Sequence, residues 1–182
     1  GHAANEVNAL ARELGAQAVF ANHDYEPQAM ARDASVLGAL ANEGVRYLTF
    51  KDHVIFEKNE LLSGQGTPYT VFTPYANKWK DRLNREPLTI YPSENLSNYA
   101  DVKSNFPSLE SIGFAPSGLY FPEKMVSDKI IHEYQTSRDF PGINGTSKLS
   151  VHLRFGTISI RKLVKHALKF ENETFLKELI WR

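Results

Sequence analysis

Cysteine is absent from all 182 residues. Disulfides and thiolate metal sites are therefore excluded, and the composition fits a cytoplasmic protein. No stretch of 18 apolar residues occurs, so no helical membrane span is expected. No charged-then-apolar leader opens the chain, so no signal peptide is expected. The pattern Gly-x-Ser-x-Gly occurs nowhere, which removes the nucleophile elbow of α/β-hydrolases. The six histidines are scattered without ligand spacing, and no metal is expected. Gly64-Gln65-Gly66 precedes Thr67-Pro68 instead of opening a helix after a strand. It reads as a turn, not as a dinucleotide loop.

The hydrophobic share of 42% supports a real core, and the length suits one good domain or two small ones. Net charge is zero but unevenly spread. From Gly1 to Ser147, 13 Lys and Arg stand against 18 Asp and Glu; from Lys148 to Arg182, 8 stand against 3. A basic end that carries an aromatic residue suits a polyanion. Solvated helix faces give the same count.

The spacing predicts a helix over Ala3–Leu14 with Gly15 as its stop, then a buried strand over Ala18–Asn22. Glu26-Pro27 starts a second helix, with proline where its missing N–H costs nothing. Met30, Ala34, Leu37, Leu40 and Ala41 fall at helical spacing, and Asn42-Glu43-Gly44 ends the run. Val45–Phe50 reads as the next strand and Val54-Ile55-Phe56 as a further apolar run. This order predicts a parallel sheet with crossover helices. Two or three strands make an incomplete sheet, and the last apolar helix stops without a Gly or Asn cap. Both features suggest an excised piece of a longer protein, with Phe20, Phe56, Phe175 and Ile180 left short of partners. Asn84–Pro122 is rich in Pro, Ser and Asn and reads as a connector between domains. Helical patterns follow over Glu123–Tyr134, Leu149–Phe155, Ile160–Phe170 and from Glu173 onward.

The polar run Gly145-Thr146-Ser147-Lys148-Leu149-Ser150 can open a helix and offer hydroxyl and N–H donors to an anion, helped by the helix dipole. An ordinary Ser/Thr cap is the plainer reading of that run. Tyr134 lies one element upstream and could close over a ring system; core packing is its alternative. Glu178 and Trp181 stand three positions apart, on one face of a helix. The indole could stack on a base and the carboxylate could meet a base edge. A core indole and a surface carboxylate are the alternatives.

Taken together, these stretches resemble the photolyase/cryptochrome family. The matching segments are Tyr25-Glu26-Pro27 with Ala31-Arg32-Asp33, Pro68-Tyr69-Thr70-Val71-Phe72-Thr73-Pro74-Tyr75, and Trp79-Lys80. Arg138-Asp139-Phe140-Pro141, Gly145 to Ser150, Leu153-Arg154-Phe155-Gly156-Thr157-Ile158-Ser159 and Glu178 to Arg182 follow in family order. Within the family, the chain most resembles bacterial cyclobutane pyrimidine dimer photolyases.

The resemblance implies an α/β plus all-α fold. Residues 1–83 would be the second half of a Rossmann-like antenna domain with a partial parallel sheet. Residues 84–122 would be the interdomain connector, and residues 123–182 the start of the helical FAD-binding domain. It implies that Tyr134, Thr146, Ser147, Lys148, Leu149, Ser150, Phe175 and Arg182 contact FAD. It implies that Arg138, Glu178 and Trp181 meet DNA containing a pyrimidine dimer. It implies no catalytic residue in this stretch, because the reaction would be the flavin's: the excited, reduced ring would give an electron to the dimer, which would split and return it.

Three departures stand out. Phe175 takes the place of a tryptophan near the flavin. Gln28 and Ala29 replace the Asn and Glu of folate-antenna relatives, which argues against a folate and leaves the second chromophore unidentified. Ile160 replaces a proline at a helix start. A cryptochrome-type light receptor, with the same fold and flavin, is the first alternative function. A non-enzymatic module binding a nucleotide or a partner is the second.

Overall fold

The computed structural model of the chain describes residues 1–91, 97–100, 105–170 and 172–181. It divides into two compact units, Gly1–Glu86 with Glu178–Arg182, and Pro87–Lys177.

The first unit opens with α1 (Ala3–Glu13), β1 (Ala18–Asn22), α2 (Pro27–Asn42) and β2 (Arg46–Phe50). Both helices end as the sequence predicts, on a left-handed glycine: Gly15 at φ 59° and Gly44 at φ 72°. Each turn is closed by a bond back over it. Ala16 N–H donates to Ala11 O at 2.8 Å and Val45 N–H to Leu40 O at 3.0 Å. This is the glycine-capped C-terminus that removes orphan carbonyls. Pro27 occupies the first turn of α2.

β1 and β2 pair in parallel, with Val19 beside Tyr47 and Ala21 beside Thr49. Side chains alternate across a strand. One sheet face therefore sends Val19 and Tyr47 to the cluster of Ala4, Ala11, Val36 and Leu40 contributed by α1 and α2. Burying a side chain such as Leu40 stabilises by about 1.5–3 kcal/mol. The other face carries Phe20 and Phe50, exposed and stacked on each other at 6.1 Å.

The run Val54-Ile55-Phe56 is not a strand. Ile55 is buried, and Phe56 turns its ring edge-on to Trp79 at 5.5 Å. Trp79 lies on α3 (Phe72–Arg85), whose buried face is Ala76, Trp79 and Leu83. The sequence reading did not identify this helix, although Pro74 sits in its first turn, where proline is tolerated. α3 takes in Asn84 and Arg85, so the connector begins after them. Charge replaces sheet pairing in this segment: Lys51 Nζ reaches Glu60 at 2.6 Å, and the Arg82 guanidinium lies 5.1 Å from the Phe56 ring centre and donates to the Glu60 carbonyl.

The second unit begins with the connector, whose described part holds one short 3-10 turn, Glu110–Ile112. Its helices are α4 (Asp128–Ser137), α5 (Ser150–Arg154) and α6 (Ile160–Ala167). α7 (Glu173–Ile180) begins in this unit and ends in the first. α7 starts where the sequence reading places it, whereas α4 is shifted and α5 and α6 are shorter than expected. α4 starts at Asp128 because the Ser127 hydroxyl caps it by accepting from Ile130 N–H. α6 starts at Ile160 in the same way, with Ser159 accepting from Lys162 N–H. Phe175 and Ile180 are buried and Phe56 is half-buried, contrary to the expectation that they lack partners. Phe20 stays exposed, with Phe50 as its stacking partner.

Candidate functional site

In the second unit the fold gathers three of the expected residues. Asn172 caps α7: its Oδ1 accepts from Thr174 N–H at 3.1 Å and Phe175 N–H at 3.4 Å. Its amide donates to the α4 carbonyls of Ile131 at 2.8 Å and His132 at 3.1 Å. One side chain thus starts α7 and fastens it to α4. The consequence is that Phe175 meets Tyr134 edge-on, ring centres 5.1 Å apart at 84°. One turn further along, the Arg138 guanidinium lies 5.8 Å from the Tyr134 ring centre. Phe175 is buried; Tyr134 and Arg138 are half-buried.

The turn that carries Thr146–Ser150 is fixed from behind. Gly145 is buried against Ser137: a Cβ placed on it would come within 2.7 Å of the Ser137 Cβ and 2.8 Å of its carbonyl oxygen. The Ser137 hydroxyl lies 3.3 Å from the Gly145 carbonyl and 2.9 Å from that of Glu133. Only glycine allows this approach. Lys148 then takes a left-handed conformation at φ 53°, a region non-glycine residues seldom use. That kink separates Ser147 from α5. Thr146, Lys148 and Ser150 are exposed, Ser147 is half-buried, and Leu149 is buried as the anchor. α5 has only five residues, so its dipole adds little, contrary to the expectation of a dipole-assisted cradle. Hydroxyls and the Lys148 ammonium are the donors that remain. A cleft of about 390 Å3 lies beside this turn, lined by Ser127, Lys129, Glu133, Ser137, Asn144 and Gly145 among others.

His152 secures the same region. It is buried, with Nε2 2.7 Å from the Pro122 carbonyl and Nδ1 2.7 Å from the Thr157 hydroxyl. A carbonyl only accepts, so Nε2 carries a proton and donates it to Pro122. The end of the connector is thereby tied to α5.

Glu178 and Trp181 group with the first unit. Both are exposed, Trp181 at 65%. The Trp181 indole lies parallel to the Phe72 ring, with centres 4.3 Å apart and planes 4° from coplanar. Arg182 falls outside the described residues.

The first unit holds a further cluster that the sequence reading did not find, at the carboxyl ends of the parallel strands. His23 extends the strand pairing by donating from its N–H to Phe50 O at 2.8 Å. Its ring bridges Thr49 Oγ1 at 3.0 Å and Glu57 Oε2 at 2.9 Å. The Tyr25 hydroxyl donates to the same carboxylate at 2.6 Å. Burial pushes the Glu57 carboxyl up, but the bonds from Tyr25 and His23 and the nearby Lys51 charge outweigh it and hold it below its ordinary value. An ionised Glu57 only accepts, so His23 Nδ1 donates to it. Beside this cluster lies a cleft of about 270 Å3 lined by His23, Asp24, Met30, Asp33, Leu37 and Tyr47 among others. Open α/β sheets bind ligands in this position, outside the strand ends. The residues are too far apart in sequence for spacing to reveal them. Among the described residues no group of three or more His, Asp or Glu could hold a metal ion, and no helix is long and apolar enough to cross a membrane.

A parallel strand pair packed on two helices, followed by a unit of short helices, is an α/β plus all-α arrangement. The chain belongs to the DNA photolyase family, whose profile matches residues 1–93. It is 33% identical over its whole length to a deoxyribodipyrimidine photo-lyase of Halobacterium salinarum, and 34% identical over 91% of its length to that of Alkalihalophilus pseudofirmus. The fold matches a bacterial class III photolyase from Agrobacterium tumefaciens with a TM-score of 0.76 and 26% identity, across the whole chain and 42% of that protein. The chain spans 43% and 38% of the two relatives' lengths.

Proposed function

We propose that the chain is the stretch of a light-driven DNA repair lyase that joins its antenna domain to its flavin domain. The full-length enzyme would split cyclobutane pyrimidine dimers. The observation that carries this reading is the exposed Trp181 indole in a chain of this family. A dimer stacks poorly in the duplex and flips out cheaply, and an exposed aromatic face gives it a surface. Glu178, exposed on the same helix, suits the hydrogen-bonding edge of the flipped bases. Arg138 suits a phosphate of the strand.

The donor set beside α4 fits FAD. Thr146, Ser147, Lys148 and Ser150 are the kinds of group that hold a pyrophosphate, and Leu149 anchors their turn. Tyr134, backed by Phe175 and flanked by Arg138, offers a half-buried ring beside them. When bound, reduced FAD would supply the light-driven electron. The residues here would bind it, hold the dimer and exclude water. Arg182 completes the proposed set. The cleft at the strand ends is our seat for a second, light-harvesting chromophore. Ala29 is a buried methyl on α2 where folate-antenna relatives place a carboxylate, so a folate lacks that anchor.

The test is Trp181→Ala in the full-length protein. Binding to dimer-containing DNA should weaken by about 1–3 kcal/mol, the worth of a stacked base. Binding to undamaged duplex, held through phosphates, should hardly change. Equal loss on both DNAs would return Trp181 to a structural role.

A further inference from the structure

Phe72 is the first residue of α3, and Trp181 is the residue that follows α7. Each ring rests on a fixed support. α3 is anchored by buried Ala76, Trp79 and Leu83, and the end of α7 by buried Leu179 and Ile180. A tryptophan that is 65% exposed at a helix end would ordinarily sample several rotamers. Here the parallel contact at 4.3 Å and 4° selects one of them. Such a contact covers one face of the indole, so the exposed area belongs to the rest of the ring. An aromatic pair adds stabilisation beyond the area it buries. Freezing the indole before the ligand arrives removes an ordering cost from binding.

We propose that Phe72 is a positioning residue for Trp181, holding the indole by parallel stacking so that its exposed surface receives an unstacked base. The inference rests on the reading of Trp181 as the base-stacking residue. It adds a residue from the antenna side of the chain to the recognition of damaged DNA. Phe72 itself touches the indole and not the ligand. Its effect is therefore on how often Trp181 is in the receiving orientation.

Two measurements decide it. In the 182-residue chain, the two tryptophans differ sharply: Trp79 is 2% exposed and Trp181 65%. Iodide quenching of tryptophan fluorescence therefore reads Trp181. Phe72→Leu should raise the quenching constant of the accessible fraction, and Phe72→Tyr should restore it. An unchanged constant in Phe72→Leu would mean that no stack exists and would overturn the proposal. In the full-length protein, Phe72→Leu should reduce the preference for dimer-containing over undamaged DNA by roughly two- to tenfold. Phe72→Tyr should recover it, and Phe72→Leu should add nothing in a Trp181→Ala background. If Phe72→Leu does not fold, Phe72→Met keeps the volume without the ring. Full preference in Phe72→Leu, with the preference lost in Trp181→Ala, would sink the positioning role alone. Full preference in Trp181→Ala would sink the stacking reading and this proposal with it.

Discussion

In the Gly1–Glu86 unit, backbone pairing and apolar side chains set the geometry: two paired strands, two glycine-capped helices and one cluster around Leu40. In the Pro87–Lys177 unit, single polar side chains bonded to backbone carbonyls do the same task. His152 holds Pro122, Asn172 holds α4, and Ser137 holds Gly145. The first arrangement spreads stability over many weak contacts. The second adds to its own apolar core, which includes Ile131, Leu149, Val164 and Phe175, a few bonds that each fix one turn. The second unit should therefore be the more sensitive to single polar substitutions.

The sharpest way to break that contrast is His152→Ala. It strips the carbonyl of half-buried Pro122 of its donor and leaves a void at the buried imidazole, which together should cost the second unit about 2–4 kcal/mol. Amide exchange across α4 to α6 should accelerate while that of α1 and α2 stays as it was. Acceleration shared equally by both units would remove the distinction. Gly145→Ala comes next. The added methyl meets Ser137 at under 3 Å, so the turn must move, at about 1–3 kcal/mol. Flavin retention by the full-length protein should fall with it, because Thr146 to Ser150 follow directly.

Glu57→Gln tests the first unit and should have the smallest effect, about 1 kcal/mol near pH 7. The Glu57 carboxyl is held below its ordinary value of 4.5 in the folded state. Its stabilisation is therefore complete above about that pH and disappears as the pH falls through the lower folded-state value. The variant should start less stable and lose less on acidification. A variant with an unchanged acid limb would show that Tyr25 and His23 do not hold the charge.

The same contrast explains what was legible in the sequence. Gly15, Gly44 and Pro27 punctuate the helices of the first unit, and the structure places each where the sequence reading does. Periodicity marked the parallel pair. It left Val54-Ile55-Phe56 as an apolar run without a covering element, because such a run carries no sign of whether a strand or the side of a helix will cover it; Trp79 on α3 does. The α3 helix itself was hidden behind Thr73-Pro74. In the second unit, helix existence was legible, as were the starts of α6 and α7 at Ile160 and Glu173, but α4 starts at Asp128 instead of Glu123. Ser127 sets that start, and a capping serine looks like any other loop serine. The site residues came from motif order. The reason each is held in place, as with Gly145 behind Thr146 or Phe175 behind Tyr134, lies in contacts across the fold that spacing does not encode.

The central claim is that this segment serves light-driven repair of DNA. Its most direct test is a full-length protein carrying these 182 residues, loaded with reduced flavin and mixed with an oligonucleotide containing one cyclobutane thymine dimer. Under blue light the dimer should be converted to two thymines, with no conversion in the dark and a much slower one at limiting DNA in Trp181→Ala. A protein that retains the flavin and absorbs the light, yet leaves the dimer intact, would contradict the account.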